Sequence, residues 1–508
     1  HQNRLGKEMI MNGKNTGAVG VCLLIFWLFS LMSCSPSKNN DTPRVIDIDI
    51  LKSRLTLNTE TDPDTGYKIS KGVFAVYEDR EAQSGRMIHL DVVILHAKGP
   101  NVQPDPYFEF AGGPGADVTP RWKRHRENWI RDERDIVLVS QRGTGGDNRL
   151  DCPSAADDDD IQGYLDPLFR EKIFKDCRDE LSKKFDLTKY STNLAADDIN
   201  DIRRALGYDR INIAGTSYGS RMGLVYLRRY PETVRTATLS GLVPTAFRNP
   251  LYHSRNFHYA IRALFAECAN DPECHAAYPN LEDEYLAILD RLEQAPAEVT
   301  IPHPATEEPV TVLLDKNGFT EGLRTTMYSS ARTRLVPYLI HRAFEGDLQP
   351  FAERAVGSSR SIRQSLALGM LLSVICAEDM DRVTEKDIVE IAAWTDAGDG
   401  RVRSQKEACK YWPRTDISAA YGDPVSVDIP VLLLSGNVDP VTPPEWGEET
   451  ARHLPNSLHL VVPGAHGVGG NCVRSIEQWF LQSGTLEGLD VSCATDLKPG
   501  KFKTDDKK

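Results

Sequence analysis

The segment Ile211-Asn-Ile-Ala-Gly-Thr-Ser-Tyr-Gly219 joins a short apolar run to a Gly-x-Ser-x-Gly turn. A turn of this kind between a strand and a helix holds its serine in a strained backbone conformation, for which small neighbouring residues leave room. The next residues, Arg221 to Tyr230, have helical character, and Pro231 ends them. This context favours an exposed, nucleophilic Ser217; the alternative is an inert serine in a glycine-rich turn.

A serine becomes a nucleophile when a base accepts its proton and an acid orients that base. In the strand-turn-helix arrangement, the acid and the histidine follow the serine in that order along the chain. Asp439 follows the apolar run Pro430–Gly436, and His466 follows a second apolar run, Leu458–Val462. Both positions lie at carboxyl ends of predicted strands, where open α/β sheets bind ligands. We predict Asp439 as the acid and His466 as the base; a helix cap and a packed loop histidine are the alternatives.

A tetrahedral intermediate also needs backbone amides that stabilise its oxyanion. The amide of Tyr218, directly after the candidate nucleophile, is one predicted donor. The second comes from Gly112-Gly-Pro-Gly115, which follows the apolar run Tyr107–Ala111. Glycines let the backbone approach a substrate closely, and Pro114 has no amide hydrogen. Gly113 is therefore the predicted second donor, with the preceding glycine as the alternative. The loop lacks the Lys-Ser/Thr pair of a phosphate-binding loop.

Together these motifs resemble the α/β-hydrolase serine peptidases of the prolyl/tripeptidyl aminopeptidase family. The resemblance runs from about residue 70 to the end of the chain and includes further short segments. These are Gln141-Arg-Gly-Thr-Gly145, Ala196-Asp-Asp-Ile-Asn-Asp201, Leu206-Gly-Tyr208 and a C-terminal segment like that of the tripeptidyl branch, 426–494. The resemblance implies an acyl-enzyme mechanism that removes short pieces or single residues from free N-termini, and it requires no metal or organic cofactor.

Two positions depart from the family pattern. The glycine loop is preceded by Ala111, where the family usually has His, and Gln141 is preceded by Ser140, where the family often has Asp. Neither belongs to the predicted triad, but both affect the surroundings of the oxyanion loop. An esterase or lipase would use the same triad, so a carboxylesterase-type hydrolase is the alternative function.

The distribution of apolar runs predicts where a sheet and a lid lie. Between residues 107 and 243, strand-like and helical stretches alternate, which is the βαβ pattern of a mostly parallel sheet. From about 244 to 423 the periodicity is helical. We predict an α/β-hydrolase core formed by residues 69–244 and 426–508, with a large helical lid, 245–425, inserted between its two halves.

Composition limits the partners of this chain. Its 508 residues carry a formal net charge of −13, with 40% apolar and 26% charged residues, as in globular proteins. No basic patch offsets the acidic balance, which argues against nucleic acid. The acidic run Asp157–Asp160 lacks the spacing of a calcium loop, so no metal site is predicted. Peptides are the expected partners, and the oligomeric state is left open.

The N-terminal segment predicts export. The apolar run Ala18–Met32 is short for a membrane span, and a polar stretch follows Cys34. This pattern resembles a bacterial lipoprotein signal, in which the cysteine carries the lipid; cleavage into a freely secreted protein is the alternative. We predict a signal segment over 1–34 and a tether over 35–68. The anchored protein would lie on the periplasmic or surface side of the cell envelope, with the lipid as its only membrane contact.

Export to an oxidising compartment lets disulfides persist. Eight cysteines remain besides Cys22 and Cys34, and no histidine cluster accompanies them as in a metal site. The sequence alone leaves their connectivity open. Because each neighbouring couple lies within one local segment, we favour the sequential pairs Cys152–Cys177, Cys268–Cys274, Cys376–Cys409 and Cys472–Cys493.

An aminopeptidase must hold a protonated amine, and a carboxylate in a partly desolvated pocket does this well. Glu378 and Asp379, which follow Cys376 in the predicted lid, are the candidates, with Glu321 behind them. Acidic residues on lid helices more often face solvent, which is the alternative for all three.

Overall fold

A computed structural model describes residues 44–505 of the chain. The strands in that range are β1 (Leu55–Thr61), β2 (Lys68–Tyr77), β3 (Met87–Leu95), β4 (Tyr107–Phe110), β5 (Ile136–Val139), β6 (Ile211–Thr216), β7 (Val234–Ser240), β8 (Ala297–Pro302), β9 (Pro309–Leu314), β10 (Val431–Gly436) and β11 (Ser457–Val462). The α-helices are α1 (Ile48–Ser53), α2 (Glu171–Ser182), α3 (Thr192–Ala205), α4 (Tyr218–Arg229), α5 (His253–Asn270), α6 (Pro272–Ala277), α7 (Leu281–Gln294), α8 (Lys316–Thr326), α9 (Ser330–Thr333), α10 (Val336–Phe344), α11 (Gln349–Ser365), α12 (Leu368–Glu378), α13 (Glu385–Ile391), α14 (Gly400–Tyr411), α15 (Pro444–Ala451) and α16 (Asn471–Ser483).

The main sheet has the strand order β1-β2-β3-β5-β4-β6-β7-β10-β11. The pairs from β1 to β5 are antiparallel, and every pair from β5 to β11 is parallel. All residues of β5 and β10 are buried, as expected for parallel strands that helices cover on both faces. The predicted mostly parallel sheet is confirmed, and the carboxyl ends of β4, β6, β7, β10 and β11 meet at one edge.

The lid comes from the chain between β7 and β10, which supplies α5 to α14 and the antiparallel hairpin β8–β9. Most members of a second apolar cluster belong to α5–α11 and this hairpin, whereas most of the buried apolar residues of α12 to α14 belong to the main core cluster. The hairpin was not predicted, although its burial alternates with a period of two: Val299, Ile301, Val312 and Leu314 point inward, and the residues between them do not. Each strand has six residues, too few for this alternation to stand out among the surrounding helices.

The tether predicted over residues 35–68 is wrong for residues 48–61. Here α1 and β1 form, and β1 pairs antiparallel with β2 from Leu55 opposite Phe74 to Thr61 opposite Lys68. Most of β1 is polar and exposed, so its apolar content does not distinguish it from a tether. Backbone hydrogen bonds to β2 hold it as an edge strand. These bonds do not require a particular pattern of side chains, so the sequence does not reveal the strand.

The predicted signal segment, 1–34, and its candidate lipidation site Cys34 lie outside the described residues. Among residues 44–505, no helix has the length and apolar character needed to cross a membrane.

Disulfides link the eight remaining cysteines in four sequential pairs: Cys152–Cys177, Cys268–Cys274, Cys376–Cys409 and Cys472–Cys493. The third joins the lid helices α12 and α14. Because disulfides persist in oxidising compartments, these bonds fit an exported protein.

Candidate active site

Ser217 lies at the turn between β6 and α4, with backbone angles φ 60° and ψ −128°. A positive φ is unusual for a serine and strains the backbone. The two glycines of the motif have no room for a side chain. A Cβ on Gly215 would lie 2.1 Å from the Gly219 carbonyl oxygen, and a Cβ on Gly219 would lie 2.3 Å from that of Phe110. The sharp turn therefore requires glycine at both positions.

Two backbone segments approach Ser217. Tyr218 is the first residue of α4, and the first amides of an α-helix have no acceptor within the helix. The glycine loop passes on the other side: a Cβ on Gly112 would lie 3.4 Å from the Ser217 Cβ atom. Gly113 has φ 115°, a conformation that favours glycine, and it lines the adjoining cavity. The two predicted oxyanion donors thus belong to the two segments that adjoin the serine.

His466 and Asp439 form a hydrogen-bonded pair at the same sheet edge, with 2.9 Å between His466 Nδ1 and Asp439 Oδ2. An ionised carboxylate only accepts, so Nδ1 carries the proton and Nε2 remains as a base. The buried carboxylate also accepts hydrogen bonds from the amides of Val441 (2.8 Å) and Thr442 (2.9 Å). Burial acts to raise the pKa of Asp439, but His466 and these amides hold it below its ordinary value. The pair therefore contains an ionised acid at neutral pH.

The backbone after β7 connects this pair to the serine. The Ser217 amide donates to the Ser240 carbonyl at 2.9 Å. At the next residue, Gly241, a Cβ atom would lie 3.3 Å from His466 Cε1. Ser217, Asp439 and His466, which are far apart in the sequence, thus lie at neighbouring strand ends.

A cavity of about 160 Å³ lies between this sheet edge and the lid. Gly113 lines it on the core side, and residues of α8, α11 and α14 line it on the lid side. Tyr328 connects it with the His466 side of the site: it lines the cavity, and its ring centroid is 5.2 Å from that of His466. Ser217 and His466 are not among the residues that line the cavity, and Gly113 and Tyr328 connect the cavity to them.

Comparisons with known proteins agree with this geometry. The family described as alpha/beta hydrolase fold matches residues 122–276, and the family described as TAP-like protein matches residues 396–493. The chain has the α/β-hydrolase fold. The hydrolase is similar to Serine protease Hip1 of Mycobacterium tuberculosis, with 26% identity over 72% of this chain and 75% of the relative.

Two further relatives differ from each other in their named activity. Carboxylesterase B of Mycobacterium tuberculosis is 26% identical over 75% of the hydrolase and 78% of its own length. Tripeptidyl aminopeptidase of Streptomyces lividans is 21% identical over 76% of each chain. The three relatives are thus named as a protease, an esterase and an aminopeptidase, all of which are hydrolases.

The prediction that Glu378 and Asp379 bind a substrate amine is wrong. Both side chains are fully buried beneath α4 and do not line the cavity. Arg221 Nη1 donates to both carboxylate oxygens of Asp379 at 2.9 Å, and it lies 3.8 Å from Glu378. Glu378 also accepts from the Thr192 amide at 2.6 Å. These acids neutralise a buried arginine, which comes one turn after the nucleophile and could have predicted a buried counter-charge.

Glu321 does line the cavity of the hydrolase. Arg324 Nε donates to it at 2.8 Å, and Arg401 Nη1 donates at 3.2 Å. Burial acts to raise the pKa of Glu321, but the two guanidinium groups hold it well below its ordinary value. Sequence reasoning missed both arginines, because arginines on lid helices usually face solvent and no motif marks these two.

Proposed function

We propose that the hydrolase is a serine exopeptidase that releases short peptides or single residues from the free N-termini of peptides. The observation that carries this proposal is the lid-covered cavity lined by Gly113 of the glycine loop near Ser217, which contains an ionised carboxylate, Glu321. A cavity of this kind accommodates a chain end more readily than the middle of a chain, and its carboxylate can pair with a protonated amine.

In the proposed mechanism Ser217 Oγ attacks the scissile carbonyl carbon while His466 Nε2 accepts the hydroxyl proton. Asp439 keeps the imidazole in the required tautomer and stabilises its positive charge. The amides of Tyr218 and Gly113 donate to the oxyanion of the tetrahedral intermediate. His466 then protonates the leaving amine, and the same base activates the water that hydrolyses the acyl-enzyme.

Glu321 is the proposed partner of the substrate amine, because it alone of the three sequence candidates reaches the cavity. Its side chain is 40% exposed, so a face of the carboxylate remains open beside the bonds from Arg324 and Arg401. A carboxylate accepts about four hydrogen bonds, which leaves capacity for an ammonium group.

The test is a mass-spectrometric time course on one proline-containing peptide, with its N-terminus either free or acetylated. We expect short N-terminal fragments from the free peptide only, and the fragment mass gives the number of residues removed. Equal cleavage of both peptides would contradict the exopeptidase proposal in favour of an endopeptidase.

A carboxylesterase is the second candidate, favoured by the relative named Carboxylesterase B. This function predicts that the protein hydrolyses p-nitrophenyl butyrate and cleaves neither the free nor the acetylated peptide. Peptide cleavage that depends on the free amine excludes it as the main activity.

We also propose that the protein is exported and held at the cell envelope by a lipid on Cys34. The support is the N-terminal sequence together with the four disulfides. Expression of the full chain with radiolabelled palmitate is expected to label the wild type and not Cys34→Ser. Equal labelling of the two proteins would contradict a lipid at this residue.

A further inference from the structure

Three arginines and two carboxylates are the charged residues that line the cavity among the described parts of the chain. The arginines are Arg324, Arg363 and Arg401, and the carboxylates are Glu321 and Asp166. Cations therefore outnumber anions in a site that is partly closed to water, where charges interact strongly. The pairing of each arginine shows which of them lacks a counter-charge.

Arg324 is fully engaged. It is 4% exposed, and its Nε and Nη2 atoms both donate to Glu321. Its Nη1 atom donates to the Tyr328 hydroxyl at 2.7 Å. One carboxylate and one phenol thus satisfy this guanidinium, and it has little capacity for a ligand.

Arg363 is in the opposite situation. It is 5% exposed, and in the described part of the chain it donates hydrogen bonds to two backbone carbonyls, of Asp166 (2.9 Å) and Ala155 (3.4 Å). Within residues 44–505 no carboxylate oxygen lies within 4.0 Å of this guanidinium. Burial and the nearby cations Arg170 and Arg401 lower its pKa to about 10, against a smaller opposing effect of the more distant Glu321, so it is still protonated at neutral pH. A buried cation without a counter-charge is energetically costly.

The Asp166 carboxylate does not neutralise Arg363. Its Oδ1 atom accepts from Gln162 at 2.9 Å, and its Oδ2 atom lies 3.9 Å from Arg170. The acid thus contributes its backbone carbonyl to Arg363 while its side chain is bound elsewhere.

Arg401 shares its only ion-pair partner in the described structure. Its Nη1 atom donates to the same Glu321 oxygen that accepts from Arg324, and its buried Nε atom has no partner among the described residues. Burial lowers the pKa of Arg401, and Arg324 adds to that effect. One carboxylate thus serves two guanidinium groups, which leaves Arg401 partly uncompensated.

His253 is a further open group in this lining. It is 7% exposed, and its Nδ1 atom has no hydrogen-bond partner in the described part of the chain. Burial and the cations Arg324 and Arg401 keep its pKa well below the ordinary value. The ring is therefore neutral and does not compensate the arginines.

We propose that Arg363 and Arg401 bind a carboxylate of the substrate, so that the hydrolase prefers peptides that bring a negative charge into the cavity. The inference rests on the proposed exopeptidase function and adds a substrate preference to it. The planar guanidinium group matches a carboxylate geometrically, and such a ligand would supply the counter-charge that the lining lacks. The carboxylate is either an acidic side chain in the released piece or the C-terminus of a short peptide.

Four peptides of the same length test the proposal and distinguish the two sources. They carry Glu or Gln near a free N-terminus, and each is made with a free or an amidated C-terminus. A side-chain carboxylate predicts that kcat/KM is about tenfold higher for Glu than for Gln, whichever C-terminus is present. A C-terminal carboxylate predicts a similar loss on amidation and no difference between Glu and Gln. Equal kcat/KM for all four peptides would overturn the inference.

The decisive variant is Arg363→Met, and Arg360→Met is its matched control. Arg360 lies on the same helix, α11, but pairs with Asp158 and does not line the cavity. We expect Arg363→Met to bring the Glu-to-Gln ratio of kcat/KM close to one, Arg363→Lys to keep part of the preference, and Arg360→Met to leave it unchanged. Unchanged preference in Arg363→Met would overturn the role of this residue.

Product inhibition of the wild type gives a test that needs no variant. A released piece that contains Glu is expected to inhibit about tenfold more strongly than its Gln counterpart if the side chain is bound. Failure of the proposed function has a different signature, since cleavage of acetylated peptides, or of esters alone, would contradict the function itself. Strictly N-terminal cleavage without any charge preference would contradict only the carboxylate site.

Discussion

Two buried arginines of this hydrolase have opposite surroundings. Arg221, on the nucleophile helix α4, faces the carboxylates of Asp379 and Glu378, and these acids raise its pKa against the effect of burial. Arg363, in the lid, is nearly as buried, but among the described residues it contacts two backbone carbonyls and the ring of Tyr164 and no carboxylate, and its pKa is lowered to about 10. The first arginine is compensated within the fold, and the second is not.

The difference separates structural from ligand-binding polar groups. Around the candidate triad the carboxylate of Asp439 already has His466, Thr442 and two backbone amides as partners, so this region is organised before substrate binds. The lid cavity instead contains groups that a substrate would complete. The core would then supply the chemistry, and the lid would select what reaches it.

Replacement of the nucleophile should have the largest effect. We expect Ser217→Ala to lower kcat by at least about 10⁴-fold, because residual catalysis would come from the oxyanion donors and binding alone. The unfolding temperature should be unchanged, which shows that the cavity and the core are intact. Retained hydrolysis by a correctly folded variant would contradict the assignment of Ser217.

The next largest effect is expected on stability, from Arg221→Met. This change leaves Glu378 and Asp379 buried without their cation, which should lower the free energy of unfolding by about 3–5 kcal/mol. Denaturant unfolding monitored by circular dichroism measures it. A loss below about 1 kcal/mol would show that the two acids do not depend on Arg221.

Asp439→Asn should remove a pH-dependent part of the stability. The pKa of Asp439 is lowered in the folded state, below its ordinary value of 3.8. Folding therefore favours the ionised form, and this contribution is complete above about pH 4 and lost as the pH falls through the folded-state pKa. In urea unfolding measured from pH 3 to pH 7, the free energies of unfolding of the wild type and the variant should approach each other as the pH falls. A constant difference over that range would contradict the lowered pKa.

Arg363→Met should have the smallest effect on stability, which sharpens the contrast with Arg221→Met. The variant loses two hydrogen bonds to carbonyls but also removes an uncompensated buried charge, so the free energy of unfolding should change by less than about 1 kcal/mol. The same unfolding measurement compares both variants. A loss as large as that of Arg221→Met would mean that Arg363 is a structural residue.

Local patterns in the sequence predicted most of the core. The turn at Ser217 depends on neighbouring glycines, and the strands β5, β6 and β10 are short apolar runs, so a window of a few residues contains the signal. Edge strand β1 was missed because its polar residues owe their conformation to hydrogen bonds with β2. The hairpin β8–β9 was missed because its strands are short and lie among helices.

The lid acids mark the limit of this reasoning. Glu378, Asp379 and Glu321 are the same kind of residue on helices of the same region, but only Glu321 reaches the cavity. The surroundings of each acid depend on which helix face packs against α4 and which faces the cavity. No residue close in sequence encodes that choice.

By itself the sequence determined the strand-turn-helix around Ser217, the chain order of Ser217, Asp439 and His466, and the α/β class, because each depends on local spacing and backbone sterics. Only the tertiary structure decided which charges meet in the lid. Among residues 44–505 it paired Arg221 with two acids and left Arg363 with none, because ion pairing depends on contacts between helices that are distant in sequence. The physical reason is that burial and counter-charge, which set the cost of a charge, arise only when those helices pack together.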